Sequence, residues 1–191
     1  LVTAFLLSGA LFSFFNIFNN KYTHNSPQPI NGIIYLNHRD TDNITFLIKQ
    51  WEYYENKLLT PGDFKNSTDL YTRYVSIGEY TSMHTYKEGS PYGKGTYRLR
   101  LVLPDYEDYY SLYIPEVYSA YDLYIGDRQM ITMGEASNYE MAVQNRIVTF
   151  KGSGDTPVIF AASDNSCIYS GMVYPPAIGS VSSINSLNNK I

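Results

Sequence analysis

The feature that most constrains this chain is strict two-residue alternation in its middle third. Tyr97, Leu99, Leu101 and Leu103 fall on one side of an extended backbone, and Arg98 and Arg100 fall on the other. Tyr110, Leu112 and Ile114 repeat the pattern, as do Tyr121, Leu123 and Ile125. Side chains of a strand alternate between its faces, so three such runs predict strands with one face on a core. The pair Gly126-Asp127 between two such runs predicts a two-residue hairpin. Turns are also expected at 104–108 and 152–155, the latter joining strands at 146–150 and 158–162. Further strands are expected at 32–36, 45–54, 73–77, 128–132 and 168–174. Residues 52–59 are read alternatively as a short helical turn ending before Pro61. Beyond residue 18 no segment carries a long 3.6-residue period, so helix is expected to be nearly absent there. The pattern predicts an all-β antiparallel sandwich or jelly roll over residues 30–180.

The start of the chain follows a different rule. Residues 1–18 carry no charge and four polar side chains, Thr3, Ser8, Ser13 and Asn16. As a helix the run is about 27 Å long, close to the roughly 30 Å of a bilayer's hydrocarbon. It reads as a membrane anchor, as a signal segment or as a buried core helix; length and the missing small-x-small cleavage pattern favour the anchor. Either of the first two readings puts the domain on the extracytoplasmic side of a cell membrane. Residues 19–29, with Pro27 and Pro29, read as a linker, and 181–191 as a linker toward a following membrane region.

Composition removes several functions. Hydrophobic residues make up 44% and charged residues 17% of the chain, which is not the profile of a disordered segment. The formal charge is −4 with no basic block, so nucleic acid is not an expected partner. The single Cys167 cannot form an intrachain disulfide and is expected to be small, buried and unreactive. The 20 tyrosines suit half-wet strand surfaces; a tyrosine-lined sugar site is the sharper alternative.

No catalytic constellation is present: there is no serine elbow, and His24, His38 and His84 lack metal-ligand spacing. No cofactor and no metal are expected. Residues 40–43 offer oxygen ligands but lack the glycine and terminal glutamate of a calcium loop. Asn43-Ile44-Thr45 and Asn66-Ser67-Thr68 are glycosylation sequons.

The segments Gly95-Thr96-Tyr97-Arg98-Leu99-Arg100-Leu101, Leu112-Tyr113-Ile114-Pro115 and Ser119-Ala120-Tyr121-Asp122-Leu123-Tyr124-Ile125-Gly126 carry a family likeness. So do Trp51-Glu52-Tyr53-Tyr54, Leu58-Leu59-Thr60-Pro61-Gly62-Asp63-Phe64, Ser170-Gly171-Met172-Val173-Tyr174 and Ile178-Gly179. Together they resemble the extracellular jelly-roll domain of bacterial seven-transmembrane receptors with diverse intracellular signalling modules. The resemblance implies a galactose-binding-like sandwich, similar also to the sugar-binding domain of family 2 glycoside hydrolases. It further implies a membrane region after Ile191 and a cytoplasmic histidine kinase or diguanylate cyclase beyond it.

Strand parity locates a ligand site. The turns at 104–108, 126–127 and 152–155 fall at one end of the sandwich. The loops 79–94, 115–119, 133–145 and 163–167 fall at the other, and long loops on a rigid scaffold carry binding residues. They supply His84, Tyr86, Lys87, Glu88, Tyr92, Glu116, Glu135, Asn138, Tyr139 and Asn165. That mixture of rings, amides and carboxylates suits a saccharide or another small ligand. Three functions remain open: a sensory ectodomain that binds a small ligand; a structural or protein-interaction module, including a homodimer; and, with least support, an exported hydrolase.

Overall fold

The computed structural model describes residues 2–18, 27–66, 71–78, 92–138, 140–167 and 169–189. In chain order the elements are α1 (Val2–Phe18), β1 (Ile33–Tyr35), α2 (His38–Asp42), β2 (Thr45–Phe46), β3 (Trp51–Glu55), α3 (Pro61–Asn66), β4 (Arg73–Val75), β5 (Gly93–Ile114), β6 (Ala120–Ile125), β7 (Arg128–Met133), β8 (Arg146–Asp164), β9 (Ala177–Ser180) and α4 (Val181–Asn188). All pairings between strands are antiparallel except that β1 runs parallel to β5.

A long ribbon of β5 and β8 organises the molecule. The turns expected at 104–108 and 152–155 do not reverse the chain. Both strands run through them, and their register shifts between Leu103↔Gly154 and Asp108↔Gly152. Four residues of β5 thus oppose one of β8, a bulge that bends the pair. Three extra residues are an odd number, so the buried set on β5 switches from Tyr97, Leu99, Leu101 and Leu103 to Tyr110, Leu112 and Ile114. On β8 the even-numbered set Val148, Phe150, Val158, Phe160 and Ala162 continues unbroken. Pro104 and Gly154, at φ +58°, are turn-type residues used here to kink a ribbon.

The bend must be a fold-back. Ala120 and Lys94 both pair with Ser163, so they lie at one level. Ile114 reaches Ala120 in six Cα steps, at most about 22 Å. Along a straight strand Ile114 would lie roughly 66 Å from Lys94. The two halves of the ribbon therefore face each other. One layer holds β4-β3, the first half of β5, the second half of β8, then β6 and β7; the other holds β2-β9, the second half of β5 and the first half of β8. One core lies between them. In it Trp51 meets Phe160 edge-on at 6.0 Å, and Tyr121 meets Phe160 at 5.6 Å.

The hairpin at Gly126-Asp127 forms as expected, with Ile125 opposite Arg128 and Gly126 at φ +58°. Residues 45–54 are not one strand. Gln50 takes φ +58°, the Trp51 indole donates to the Leu47 carbonyl at 2.9 Å, and the chain crosses from one layer to the other there. Residues 169–174 are not a strand, and β9 forms after them.

Helix is not absent beyond residue 18. In α2, Asn37 and Asp40 form a reciprocal capping box. Helix α3 starts at Pro61, where a missing N–H costs nothing, while residues 51–55 are strand and not a helical turn. Residues 181–188, where a linker is expected, form α4; Ser180 caps it, and Ile184 is buried against Tyr113 and Ala177 on the outer face of the second layer. Helix α1 forms over the apolar run, and its described side chains are exposed, from Leu11 at 51% to Phe5 at 78%. Among the described residues no helix is long and apolar enough to cross a membrane.

Candidate functional site

The level shared by Lys94, Ser163 and Ala120, together with the pair Tyr121↔Met133, gathers the long connections at one end. The residue that ties them together is Asp164, 2% exposed at the end of β8. Its Oδ1 accepts from the backbone N–H of Ser166 at 2.6 Å and of Cys167 at 2.8 Å. Its Oδ2 accepts from the Ser119 hydroxyl at 3.2 Å, and Ser119 Oγ accepts from the Gly171 N–H at 2.7 Å. A buried carboxylate is costly unless donors surround it, and here two connections supply them. A third is pinned next door, where Ser163 Oγ donates to the Ala136 carbonyl at 2.5 Å.

The turn that follows Met133 is closed tightly. Glu135 and Glu140 exchange backbone hydrogen bonds at 2.8 and 3.1 Å. Gly134 sits at φ +67°, where a Cβ would lie 1.8 Å from the Glu140 carbonyl oxygen.

On this frame stand several predicted site residues. Glu116, Glu135, Asn138 and Asn165 are exposed at this end, and Tyr92, 40% exposed, precedes Gly93, which pairs with Asp164. Glu116 accepts from the Tyr118 hydroxyl at 3.1 Å, and Glu135 from the Ser137 hydroxyl at 3.0 Å. His84, Tyr86, Lys87, Glu88 and Tyr139, and His24 in the linker, lie outside the described residues. Cys167 is half-buried, not buried, because it belongs to the turn that wraps Asp164.

Sequence reading missed Ser119 and Asp164, and with them three rings. Tyr118 is half-exposed; its hydrogen bond to Glu116, then the charge of Glu116, raise its phenol above the ordinary value. Tyr169 and Tyr174 are exposed. The signal for Asp164 was present in the run Asp164-Asn165-Ser166, since an aspartate that bonds the backbone two residues on makes an Asx turn. The rings gave no local signal among 20 tyrosines.

Chemically the arrangement offers aromatic faces, hydroxyls, amides and carboxylates on a braced surface. Among the described residues no three His, Cys, Asp or Glu side chains gather to hold a metal. In the segment 40–43, Asp40 accepts from the Asn37 N–H at 3.0 Å, and Asp42 pairs with His38 at 2.8 Å.

No protein-family model matches the chain, and no curated protein matches it. Solved structures do. A GH2 beta-galacturonidase from Eisenbergiella tayi, bound to galacturonate, superposes with a TM-score of 0.50 at 10% identity, over 72% of this chain and 24% of that enzyme. A beta-glucuronidase from an uncultured Clostridium sp. gives 0.50 at 12% identity, over 71% of this chain and 28% of that enzyme. The chain spans about a quarter of the length of these enzymes. Neither is a membrane receptor. The likeness is one of fold: a galactose-binding-like β-sandwich, as in the sugar-binding domains of family 2 glycoside hydrolases.

Proposed function

We propose that this chain is a non-catalytic saccharide-binding domain held at the extracytoplasmic face of a membrane by α1, with its site at the loop end. The observation that carries the reading is Tyr118 hydrogen-bonded to Glu116 on the connection that Asp164 fixes through Ser119, with Tyr169 and Tyr174 exposed on the other connection it fixes. Saccharides present apolar C–H faces and hydroxyl rims, which match exposed rings flanked by carboxylate and amide groups. A site braced by buried hydrogen bonds loses little ordering entropy on binding, although a shallow polar surface still binds weakly. The likeness in fold to a galacturonidase and a glucuronidase fits a carbohydrate ligand without assigning one.

The tether rests on α1. A helix apolar on all sides that leaves its described side chains exposed needs an apolar environment. Its 17 residues rise about 25 Å, so lipid around it would have to thin or its flanks snorkel. Relay to a kinase or cyclase is the further step that the receptor resemblance suggests.

The test is a glycan array with the full chain in detergent, followed by titration of the hits against Tyr118→Ala, Glu116→Gln and Tyr92→Ala. Loss of about tenfold or more in affinity is expected from Tyr118→Ala. Binding that survives all three changes moves the site elsewhere. Absence of any glycan hit together with a concentration-dependent dimer supports the interaction module instead.

A further inference from the structure

We propose that the groove between α2 and α4 is a second saccharide site, independent of the loop end and of the reading given to it. The groove encloses about 420 Å³, within the range of roughly 300–1,000 Å³ for small-ligand sites. Its floor is Ile44 and Leu187, seated on the small apolar cluster of Tyr113, Ala177 and Ile184. Its rim carries Asp42, Asn43, Ser182, Ser183 and Ser186.

The rim is braced before any ligand arrives. Ser183 Oγ donates to the Asp42 carbonyl at 2.5 Å, Asn43 Nδ2 donates to the Arg39 carbonyl at 2.8 Å, and the Ser182 and Ser180 hydroxyls share a bond of 3.0 Å. The first ties the end of α2 to the first turn of α4, and the other two brace each end locally. They also leave hydrogen-bonding capacity over. Among the described residues Ser186 and Asn43 Oδ1 have no hydrogen-bond partner, and Asp42 uses one carboxylate oxygen on His38. Unspent acceptors plus one free hydroxyl, above an aliphatic floor, suit a ring with an apolar face and a hydroxyl edge.

Charge narrows the class. Among the described residues of the lining Asp42 is the one ionic side chain, and its charge disfavours an anionic sugar and not a neutral one. The surface continues past the groove, since His38 Nδ1 meets Asp42 Oδ2 at 2.8 Å and the Tyr106 ring lies 6.3 Å from the His38 ring. Tyr106 is exposed, on the bulge where the β5–β8 ribbon folds. A further sugar unit can stack there, so the fitting ligand is a short uncharged oligosaccharide. The bulged end of the sandwich, where the sequence predicts only turns, supplies this site.

The test is calorimetric titration of the full chain in detergent with cellotriose, maltotriose and xylotriose, and with trigalacturonate as the charged comparison. Ser186→Phe fills the groove and Tyr106→Ala removes the ring; both positions are exposed, and unchanged circular dichroism will verify folding. Each should weaken neutral trisaccharide binding by about tenfold or more. Binding untouched by both groove variants overturns the inference, as does trigalacturonate binding as tightly as the neutral sugars. If Tyr118→Ala alone abolishes binding, the loop-end reading stands and this one falls. If no trisaccharide binds, the groove site is excluded, and the loop end is judged by its own glycan array.

Discussion

Leu101 has no exposed surface and sits in the first half of β5 among the residues of the main core. Leu101→Ala should cost about 2–5 kcal/mol, measured by urea denaturation, since the transfer term and the cavity add. Its neighbour Arg100 points the other way and pairs with Asp155 at the surface. Arg100→Ala should cost less than about 1 kcal/mol in the same assay. Equal costs would mean that the faces of β5 are reversed. Asp164 is the polar counterpart. Asp164→Ala removes the acceptor of three donors, and a network broken inside a protein costs about 1–3 kcal/mol for each group left unsatisfied. Hydrogen exchange at the amides of Ser166, Cys167 and Gly171 should accelerate in that variant while exchange in β5 changes little; uniform acceleration would show that Asp164 does not act locally.

At the scale of elements, α3 shows how charge and capping combine. Asp63 Oδ2 accepts from the backbone N–H and the hydroxyl of Thr60, both at 2.7 Å, and these bonds lower the Asp63 carboxyl below its ordinary value. A carboxyl whose folded value lies below its unfolded value stabilises the fold above the unfolded value, near 3.9. That contribution fades as pH falls through the lower folded value. Nuclear magnetic resonance titration of Asp63 should therefore show a midpoint below 3.9 in the native chain, and Thr60→Ala should move it upward. A midpoint unmoved by Thr60→Ala would break the assignment. The turn after β7 makes a second point. Gly134→Ala places a Cβ against the Glu140 carbonyl at positive φ, so the Glu135–Glu140 turn must open. The expected result is a destabilised loop end, read as faster exchange at Glu140, with the β6–β7 hairpin retained.

For the molecule as a whole, buried phenols set an alkaline limit. Burial pushes Tyr54 and Tyr121 up to about 12, and Tyr97 well above the ordinary value by the same cause. In the unfolded chain these phenols ionise near 10. The folded values are the higher ones, so the stability they contribute is whole below pH about 10 and is lost as pH rises toward 12. Tyrosinate absorbance should thus appear in two stages: exposed phenols first, then a block that emerges together with loss of the near-ultraviolet dichroism. A single smooth titration with the fold intact would contradict this.

The sequence alone determined the fold class and the composition of the core. Tyr97, Leu99, Leu101, Leu112, Ile114, Leu123 and Ile125 are all buried, because two-residue alternation is a local property that any sheet must respect. The hairpin at Gly126-Asp127 was legible for the same reason: its pairing partners are adjacent in sequence. Where partners are distant, local signals misled. Pro104 and the glycines at 152 and 154 mark a bend in either reading, and only the pairing of β5 with β8 on both sides of it decides that the strand folds over and does not reverse. The short helices were hidden because caps such as Asn37 with Asp40 and Ser180 with Ser183 act over three or four residues, too few for a 3.6-residue period to emerge. The site divides in the same way. Which loops are long was written in the chain, but Asp164 reaches Ser119 across 45 residues and the groove joins residues 42–44 to 182–187. Contacts at such separation have no sequence period; they exist because the folded ribbon brings those segments to one place.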